Sequence, residues 1–288
     1  MAILKNTTVA GTGAIELPVG TTAQRPSSPV TGDSRYNSDK QALEIYTGSR
    51  WQVFPDIERN SLTMYWDPLD SYSGSGSTVT DLSGNARNGS LNGVNVVTTD
   101  GGYFEFTSSS HSISVSFPQP TRQKTLQFWI NTNRPLSTQD NWQIGWLDDN
   151  ATLGSMFGMM FGVGPTQDLG FWGYGSAYDL SIGKTTGANW IANQGWQFVT
   201  AVMEYSRYVR VYKNEQQQLL YRNSDGAVDY TWPMTTAQGT NNFKVNSRGS
   251  WNSGFSRLWL GPVFVYDRKL EDWEIVQNFY STKDRYGV

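Results

Sequence analysis

The side chains that most often carry out catalysis are scarce in this sequence. His111 is the single histidine, and cysteine is absent. A histidine or thiolate zinc site and a cysteine nucleophile are therefore excluded within one chain. A Ser/His/Asp triad would need His111 as its base, but that residue lies among four serines, and we interpret it as a partly exposed turn residue. The fragment IGKT at 182–185 is not a phosphate loop, because position 178 is Tyr where the motif needs Gly.

Aromatic residues beside acids are better candidates, and the chemistry that they support is binding. The segment GFWGYGSAYD at 170–179 places Trp172, Tyr174 and Tyr178 among glycines, with Asp179 next to them. Flat aromatic faces stack on sugar rings, and a carboxylate accepts hydrogen bonds from sugar hydroxyls. The alternative is that the same rings pack inward as a strand of the core.

A second candidate patch for binding lies in the segment DNWQIGWLDDN at 140–150. It contains Trp142 and Trp146, followed by the adjacent acids Asp148 and Asp149.

The elements that must position these candidates are predicted to be β-strands. Aromatic residues make up 14% of the chain, charged residues only 16%, and there are 29 glycines. This composition favours strands joined by tight turns. A net charge of -3 argues against binding to nucleic acid. No run of about 18 apolar residues occurs, so membrane insertion is not expected.

The chain changes character near residues 55 to 62, which predicts an N-terminal module at 1–58 and a second domain at 59–288. The first module begins as a proline-containing extended arm. It continues as SRYNS, ALEIYTG and RWQVF, which predict a three-strand meander. Three short strands are marginal alone, so we expect this module to pack against another subunit or another protein.

Short apolar or alternating runs between turn residues dominate the second domain and predict a β-sandwich. The clearest are YFEF (103–106), SISVSF (112–117), TLQFWI (125–130), QFVTAVM (197–203), YVRVY (208–212) and LWLGPVFVY (258–266). One helix is predicted at 271–287, with Trp273, Val276 and Tyr280 on one apolar stripe and Ile275 and Phe279 beside it. We expect this helix to seal one end of the sandwich.

Residues 17–54 resemble a module common in virion proteins of tailed bacteriophages. The matching positions are Leu17, Pro18, Gly20, Arg25, Pro26, Pro29, Gly32, Arg35, Tyr36, Asn37, Tyr46, Gly48 and Trp51. The resemblance implies that this module docks onto the phage particle. The residues expected to take part in docking are Arg25, Arg35, Tyr36, Tyr46 and Trp51.

Residues 62–288 are similar to the laminin-G-like, concanavalin A-like superfamily. The resemblance rests on TVTDLSGNARNGSLNGV (78–94), the strand TLQFWI, and the closing strand and helix. It implies an all-β jelly roll with a short C-terminal helix, preceded by the small N-terminal meander. Relatives often carry one calcium ion, for which Asp148 and Asp149 would supply oxygens. Asn214-Glu215 stands where the family has Asn-Gly, which predicts a longer or differently shaped loop.

Glycosidases of this fold need Glu-x-Asp-x-Glu or a similar spacing, so that alternate side chains of one strand face a single cleft. No Glu in this chain has Asp two positions later. Glu271, Asp272 and Glu274 cluster instead on the first turn of the predicted helix, where acids favour the helix dipole. The chain is therefore predicted not to be an enzyme. Calcium is the single cofactor that the resemblance implies.

These observations lead to a virion structural protein, made in the host cytoplasm, whose jelly roll is displayed as a fibre or appendage adhesin for surface polysaccharide. The partners expected are other phage virion proteins and two further copies of the chain in a homotrimer. The alternative is a capsid or tail decoration protein that makes only protein contacts.

Overall fold

A computed structural model divides the chain into two compact units, Met1–Asp56 and Ile57–Val288. The structure describes residue 13 and residues 16–38, 42–54, 56–118, 123–132, 142–146, 157–163, 168–172, 180–181, 194–204, 208–222, 227–228, 242–246 and 258–288.

The N-terminal unit is a small curled sheet. Its described strands are β1 (Val19–Gly20), β2 (Ser34–Asn37), β3 (Ala42–Tyr46) and β4 (Trp51–Phe54), with a 3-10 turn at Thr22–Gln24. The antiparallel meander β2-β3-β4 confirms the prediction. The sequence did not predict β1, which lies at the sheet edge and pairs in parallel with β2.

The larger unit is built almost entirely from strands. In chain order they are β5 (Leu62–Trp66), β6 (Thr78–Val79), β7 (Gly89–Asn92), β8 (Asn95–Val97), β9 (Tyr103–Phe106), β10 (Ser112–Val115), β11 (Gln123–Asn131), β12 (Trp142–Trp146), β13 (Phe157–Val163), β14 (Asp168–Trp172), β15 (Leu180–Ser181), β16 (Gln197–Glu204), β17 (Tyr208–Lys213), β18 (Gln216–Gln217), β19 (Tyr221–Arg222), β20 (Phe243–Val245) and β21 (Leu258–Tyr266).

The described strands form two sheets, which confirms the all-β sandwich. One sheet has the order β18-β17-β16-β11-β21-β9-β8, with β5 also pairing along β21. The other has the order β19-β15-β14-β13-β12-β20-β10-β7-β6. Neighbours in these orders are often far apart in the sequence, as in a jelly roll.

The core lies between the sheets, and the alternation of β11 shows how it forms. Leu126, Phe128 and Ile130 point into this core, where they pack with residues of the second sheet such as Ile144 and Phe243. Their neighbours on β11 point to the opposite face, because successive side chains of a strand alternate. Trp129 on that outer face is nonetheless fully buried.

A C-terminal helix covers the outer face of the first sheet. This helix, α1 (Asp272–Thr282), continues into a 3-10 turn at Lys283–Tyr286. Ile275 and Phe279 pack against Trp129 and other outer-face residues in a second apolar cluster. The helix therefore lies along the outer face of a sheet. The prediction that it seals one end of the sandwich is wrong.

The central stripe predicted for α1 is not its buried face, whereas Ile275 and Phe279, which were predicted beside that stripe, are buried. Trp273 is 63% exposed and Tyr280 is 41% exposed. The buried face carries Asn278, whose amide donates to Gln127 Oε1 at 2.6 Å and to the Tyr266 hydroxyl at 2.9 Å. Polar groups that are satisfied in this way are tolerated inside a protein, and they hide the buried face from a hydrophobicity pattern.

The hairpin after β17 is tighter than the sequence suggested. Pairing of Tyr212 with Gln217 and of Lys213 with Gln216 leaves only Asn214 and Glu215 in the turn. Asn214 has a φ of 57°, a left-handed conformation that asparagine tolerates better than most residues.

The 78–94 motif forms a turn that is organised by one buried carboxylate, that of Asp81. Its Oδ1 accepts the backbone N–H groups of Tyr65 (2.9 Å) and Ser83 (3.0 Å). Its Oδ2 accepts the Ser83 hydroxyl (2.8 Å) and the Arg87 N–H (3.0 Å). This turn therefore fastens β5 to the start of the second sheet.

We expect Asp81→Ala to lower the free energy of unfolding by about 2 to 3 kcal/mol, because it leaves buried donors without an acceptor. Urea denaturation followed by tryptophan fluorescence measures the change. The control is Asp267→Ala, which removes an exposed carboxylate. Equal stability of the two variants would contradict the role given to Asp81.

Candidate functional site

The binding residues proposed from the sequence fall mostly outside the part of the chain that the structure describes. Tyr174, Tyr178, Asp179, Asp148 and Asp149 all lie outside the described residues. For Trp142 and Trp172 only the backbone is described, in β12 and β14. The structure therefore leaves both aromatic candidates and the calcium ligands as predictions.

Trp146, the remaining member of the second candidate patch, is a core residue. Its side chain has no exposed surface, and its indole N–H donates to the Phe117 carbonyl at 2.7 Å. The ring packs edge-on against Phe117 and Phe243. The prediction that Trp146 belongs to a binding patch is therefore wrong, and its role is structural.

Two of the residues predicted to dock the protein, Arg25 and Arg35, lie beside Glu44, which is fully buried. Arg25 Nη2 donates to Glu44 Oε2 at 2.6 Å, Asn37 Nδ2 donates to the same oxygen at 3.1 Å, and Arg35 Nε lies 3.6 Å from Oε1. Burial alone would raise the pKa of Glu44, but the hydrogen bonds from Arg25 and Asn37 outweigh it and lower this pKa. Arg35 is therefore part of the buried charged cluster of this unit, whether or not it also takes part in docking.

The three aromatic residues predicted to take part in docking lie on different sides of the small sheet. Tyr46 and Trp51 are cross-strand partners with ring centroids 5.6 Å apart, on the face that carries Glu44. Tyr36 alternates with the buried Arg35 and is 40% exposed. A cleft of about 430 Å³ opens on the Glu44 face, and it is lined by Pro18, Val19, Gln24, Pro26, Asp33, Ser34, Arg35 and Trp51.

A partly exposed aromatic cluster lies on the outer face of the first sheet, beside α1. We call Tyr103, Trp196 and Trp259 the aromatic patch. Tyr103 alternates on β9 with the buried Phe104, and Trp259 alternates on β21 with the buried Leu258. Core residues thus fix these two strands from below while the rings remain accessible from outside.

The three rings contact one another closely. The centroid of Tyr103 lies 5.1 Å from that of Trp259 and 6.0 Å from that of Trp196. The two indoles are stacked at 6.4 Å with an interplanar angle of 29°. Trp196 also packs at 4.3 Å against Tyr286, which anchors it to the C-terminal 3-10 turn. Mutual packing of this kind restricts the rotamers and holds the faces ready for a ligand.

Polar groups run beside these rings in a row across four strands. The backbone register places Asn95, Glu105, Trp259 and Asn131 opposite one another on β8, β9, β21 and β11. Glu105 Oε1 accepts the Trp259 indole N–H and Oε2 accepts the Asn95 amide, both at 3.3 Å. Burial raises the pKa of Tyr103, and the negative charges of Glu105 and Asp100 add to this.

The aromatic patch has the features of a carbohydrate platform. Indole and phenol faces stack on the C–H faces of a pyranose ring, and carboxylate and amide groups bond to its hydroxyls. Sequence reasoning missed these residues because it searched glycine-rich loops. The available signal was strand alternation: YFEF places Tyr103 and Glu105 on the face opposite to Phe104 and Phe106.

Within the described ranges, no group of three or more histidines or acids is placed to hold a metal ion. No helix in the same ranges is long and apolar enough to cross a membrane.

A comparison with protein-family models gives no match, and a search of curated proteins gives none either. Solved structures do match. They include the binding domain of Paraclostridial mosquitocidal protein 1 (16% identity, TM-score 0.55, 77% of this chain and 52% of that one). A structure concerning cell entry of botulinum neurotoxin type C matches at 14% identity (TM-score 0.57, 78% of this chain and 52% of that one).

Trypanosoma rangeli sialidase is also similar, at 14% identity and a TM-score of 0.56 over 91% of this chain and 46% of that one. The chain thus spans about half the length of the solved structures that it matches. At this level of identity, the likeness shows a shared β-sandwich fold.

Proposed function

We propose that this chain is a non-catalytic virion structural protein of a tailed bacteriophage, and that its larger unit binds a host-surface glycan through the aromatic patch. The N-terminal unit docks the protein onto the particle. The binding role rests on one observation: three mutually packed and partly exposed rings beside a row of carboxylate and amide groups.

Two of the similar structures support the binding role. Cell entry of botulinum neurotoxin type C depends on interaction with two ganglioside molecules, and a botulinum neurotoxin DC binding domain was solved in complex with SialylT. Both match 78% of this chain at 14% identity, so the shared fold suits the presentation of a glycan site. The assignment to a virion rests separately on the resemblance of residues 17–54 to phage docking modules.

We expect Trp259→Ala to weaken glycan binding at least about tenfold, which corresponds to about 1.4 kcal/mol. The substitution removes one of the three rings of the aromatic patch and the N–H that donates to Glu105. A glycan array identifies the ligand, and calorimetry with the best glycan then measures the affinity. Circular dichroism and thermal unfolding establish that the variant is folded.

Trp273→Ala is the matched control, because it removes an exposed tryptophan from α1. It should bind as the original chain does. No binding to any glycan or host-surface preparation would refute the adhesin and favour the decoration protein. Loss of binding in Trp273→Ala but not in Trp259→Ala would move the site elsewhere.

Three measurements test the remainder of the proposal. Immunogold labelling of purified particles should locate the chain on the virion, and native mass measurement should give a trimer. Incubation with the bound polysaccharide should release no reducing sugar. A chain that is absent from particles, a monomer on the particle, or sugar release would each overturn the corresponding part.

A further inference from the structure

The floor of the N-terminal cleft contains an arginine whose hydrogen bonds are incomplete. Arg35 is only 5% exposed. Its Nη2 donates to the Thr21 carbonyl at 3.1 Å, whereas its Nη1 is buried and has no partner among the described residues. A buried donor without an acceptor costs free energy, so a ligand that supplies an oxygen here gains affinity.

Glu44 does not meet this need. It already accepts hydrogen bonds from Arg25 and Asn37, and its distance of 3.6 Å from Arg35 Nε is longer than a hydrogen bond. Asp33 lies at the rim of the cleft, where its Oδ2 accepts the Val30 N–H at 2.8 Å. A carboxylate from outside is the natural partner, because its two oxygens match the fork of a guanidinium.

The walls of the cleft indicate what carries this carboxylate. Pro18, Pro26 and Trp51 are apolar or aromatic, so they suit apolar side chains on either side of the acid. One wall is β1, the edge strand of the sheet. Pro18 and Gly20 direct their carbonyls to β2, so the backbone of Val19 between them points away from the sheet, and Val19 is 66% exposed. No described strand pairs with this side of β1, and a strand edge without a neighbour accepts an extended peptide.

We propose that the cleft binds an extended segment of another protein chain, in which a Glu or Asp side chain between apolar residues pairs with Arg35. The segment adds to the side of β1 that has no strand neighbour among the described residues, and its apolar side chains contact Trp51. This inference rests on the proposed docking function and names the chemistry of the docked partner.

The test uses two blocked peptides as probes, acetyl-Leu-Glu-Leu-amide and acetyl-Leu-Gln-Leu-amide. They are titrated into the full chain at pH 7 while the Trp51 indole resonance, assigned with Trp51→Phe, is followed by NMR. The glutamate peptide should bind at least about tenfold more tightly. Its advantage should disappear at pH 3, where its carboxyl is protonated.

Arg35→Met should reduce the affinity for the glutamate peptide to that for the glutamine peptide, whereas Arg50→Met, at an exposed arginine, should leave it unchanged. If Arg35→Met does not fold, the pH comparison on the original chain decides the question. Equal binding of the two peptides, or no shift of the Trp51 resonance with either, would overturn the inference. A chain that binds the glutamate peptide but is absent from particles would refute only the virion assignment.

Discussion

Raising the pH from 7 to 10 is expected to stabilise the larger unit by several kcal/mol, and Lys124 is the group responsible. Its side chain lies on the same face of β11 as that of Leu126 and points into the space between the sheets. It is 1% exposed. Its Nζ lies 5.9 Å from the Trp146 ring centroid. Burial lowers the pKa of Lys124 from 10.5 to about 7, because the charged form loses its hydration.

The direction of this pH dependence follows from proton binding. Between pH 7 and 10.5 the unfolded chain keeps the Lys124 proton and the folded chain has lost it, so a rise in pH favours the folded state. The slope is about 1.4 kcal/mol per pH unit within that window. Above pH 10 buried tyrosines such as Tyr266, whose pKa burial raises, reverse the trend, since they must stay protonated in the folded state.

Urea denaturation at pH 7, 8, 9 and 10 measures the effect. Lys124→Met replaces the ammonium with an apolar side chain of similar length and should abolish most of the slope. Lys213→Met is the comparison: burial lowers the pKa of Lys213 too, but this side chain is only partly buried, so the variant should remove a smaller part of the slope. If the original chain and Lys124→Met gained the same stability from pH 7 to 10, the assignment of the slope to Lys124 would be wrong.

Arg285→Met is expected to cost about 3 to 5 kcal/mol of unfolding free energy, because it leaves a buried carboxylate without its cation. Arg285 donates from Nη1 and Nη2 to the two oxygens of Asp67, both at 2.7 Å, and also to the Gly101 carbonyl. Asp67 has no exposed surface. Lys283→Met, on the same 3-10 turn, is the control and should change stability little.

Acid titration separates loss of this ion pair from a simple packing defect. Burial would raise the pKa of Asp67, but hydrogen bonds from Arg285 and Tyr65 lower it overall, so the original chain loses stability as the pH falls through that lowered pKa. Without Arg285 the pKa of Asp67 is raised, and the variant should gain stability as the pH falls toward 4. A variant that loses stability in acid exactly in parallel with the original chain would contradict this account.

Strand alternation was enough to predict most of the sandwich. Runs such as YFEF and TLQFWI predict strands directly, because alternate side chains of a strand face the core and those must be apolar. The helix was located correctly, and Ile275 and Phe279 are buried, but the predicted stripe through Trp273 and Tyr280 is not the buried face. Asn278 faces the sheet while Trp273 faces outward. The reason is that the Asn278 amide donates hydrogen bonds to Gln127 and Tyr266, which the sequence pattern does not reveal.

The aromatic patch could not be predicted from local pattern. Its rings come from β9, β21 and the segment before β16, and they meet only because β21 lies between β9 and β11 in the sheet order. That order is decided by contacts distant in the sequence. The same is true of Lys124 and Asp67, whose burial depends on which strand faces them.

The position of β5 in the first sheet has a consequence for how the molecule acquires its structure. β5 pairs with β21, and the bond from the Thr63 hydroxyl to the Val265 carbonyl spans 202 residues. Closing so long a loop costs entropy before any contact compensates for it, so sheets of this topology fold slowly. During synthesis, β5 emerges from the ribosome long before its partner strand exists, and its apolar side chains stay exposed to solvent during that interval.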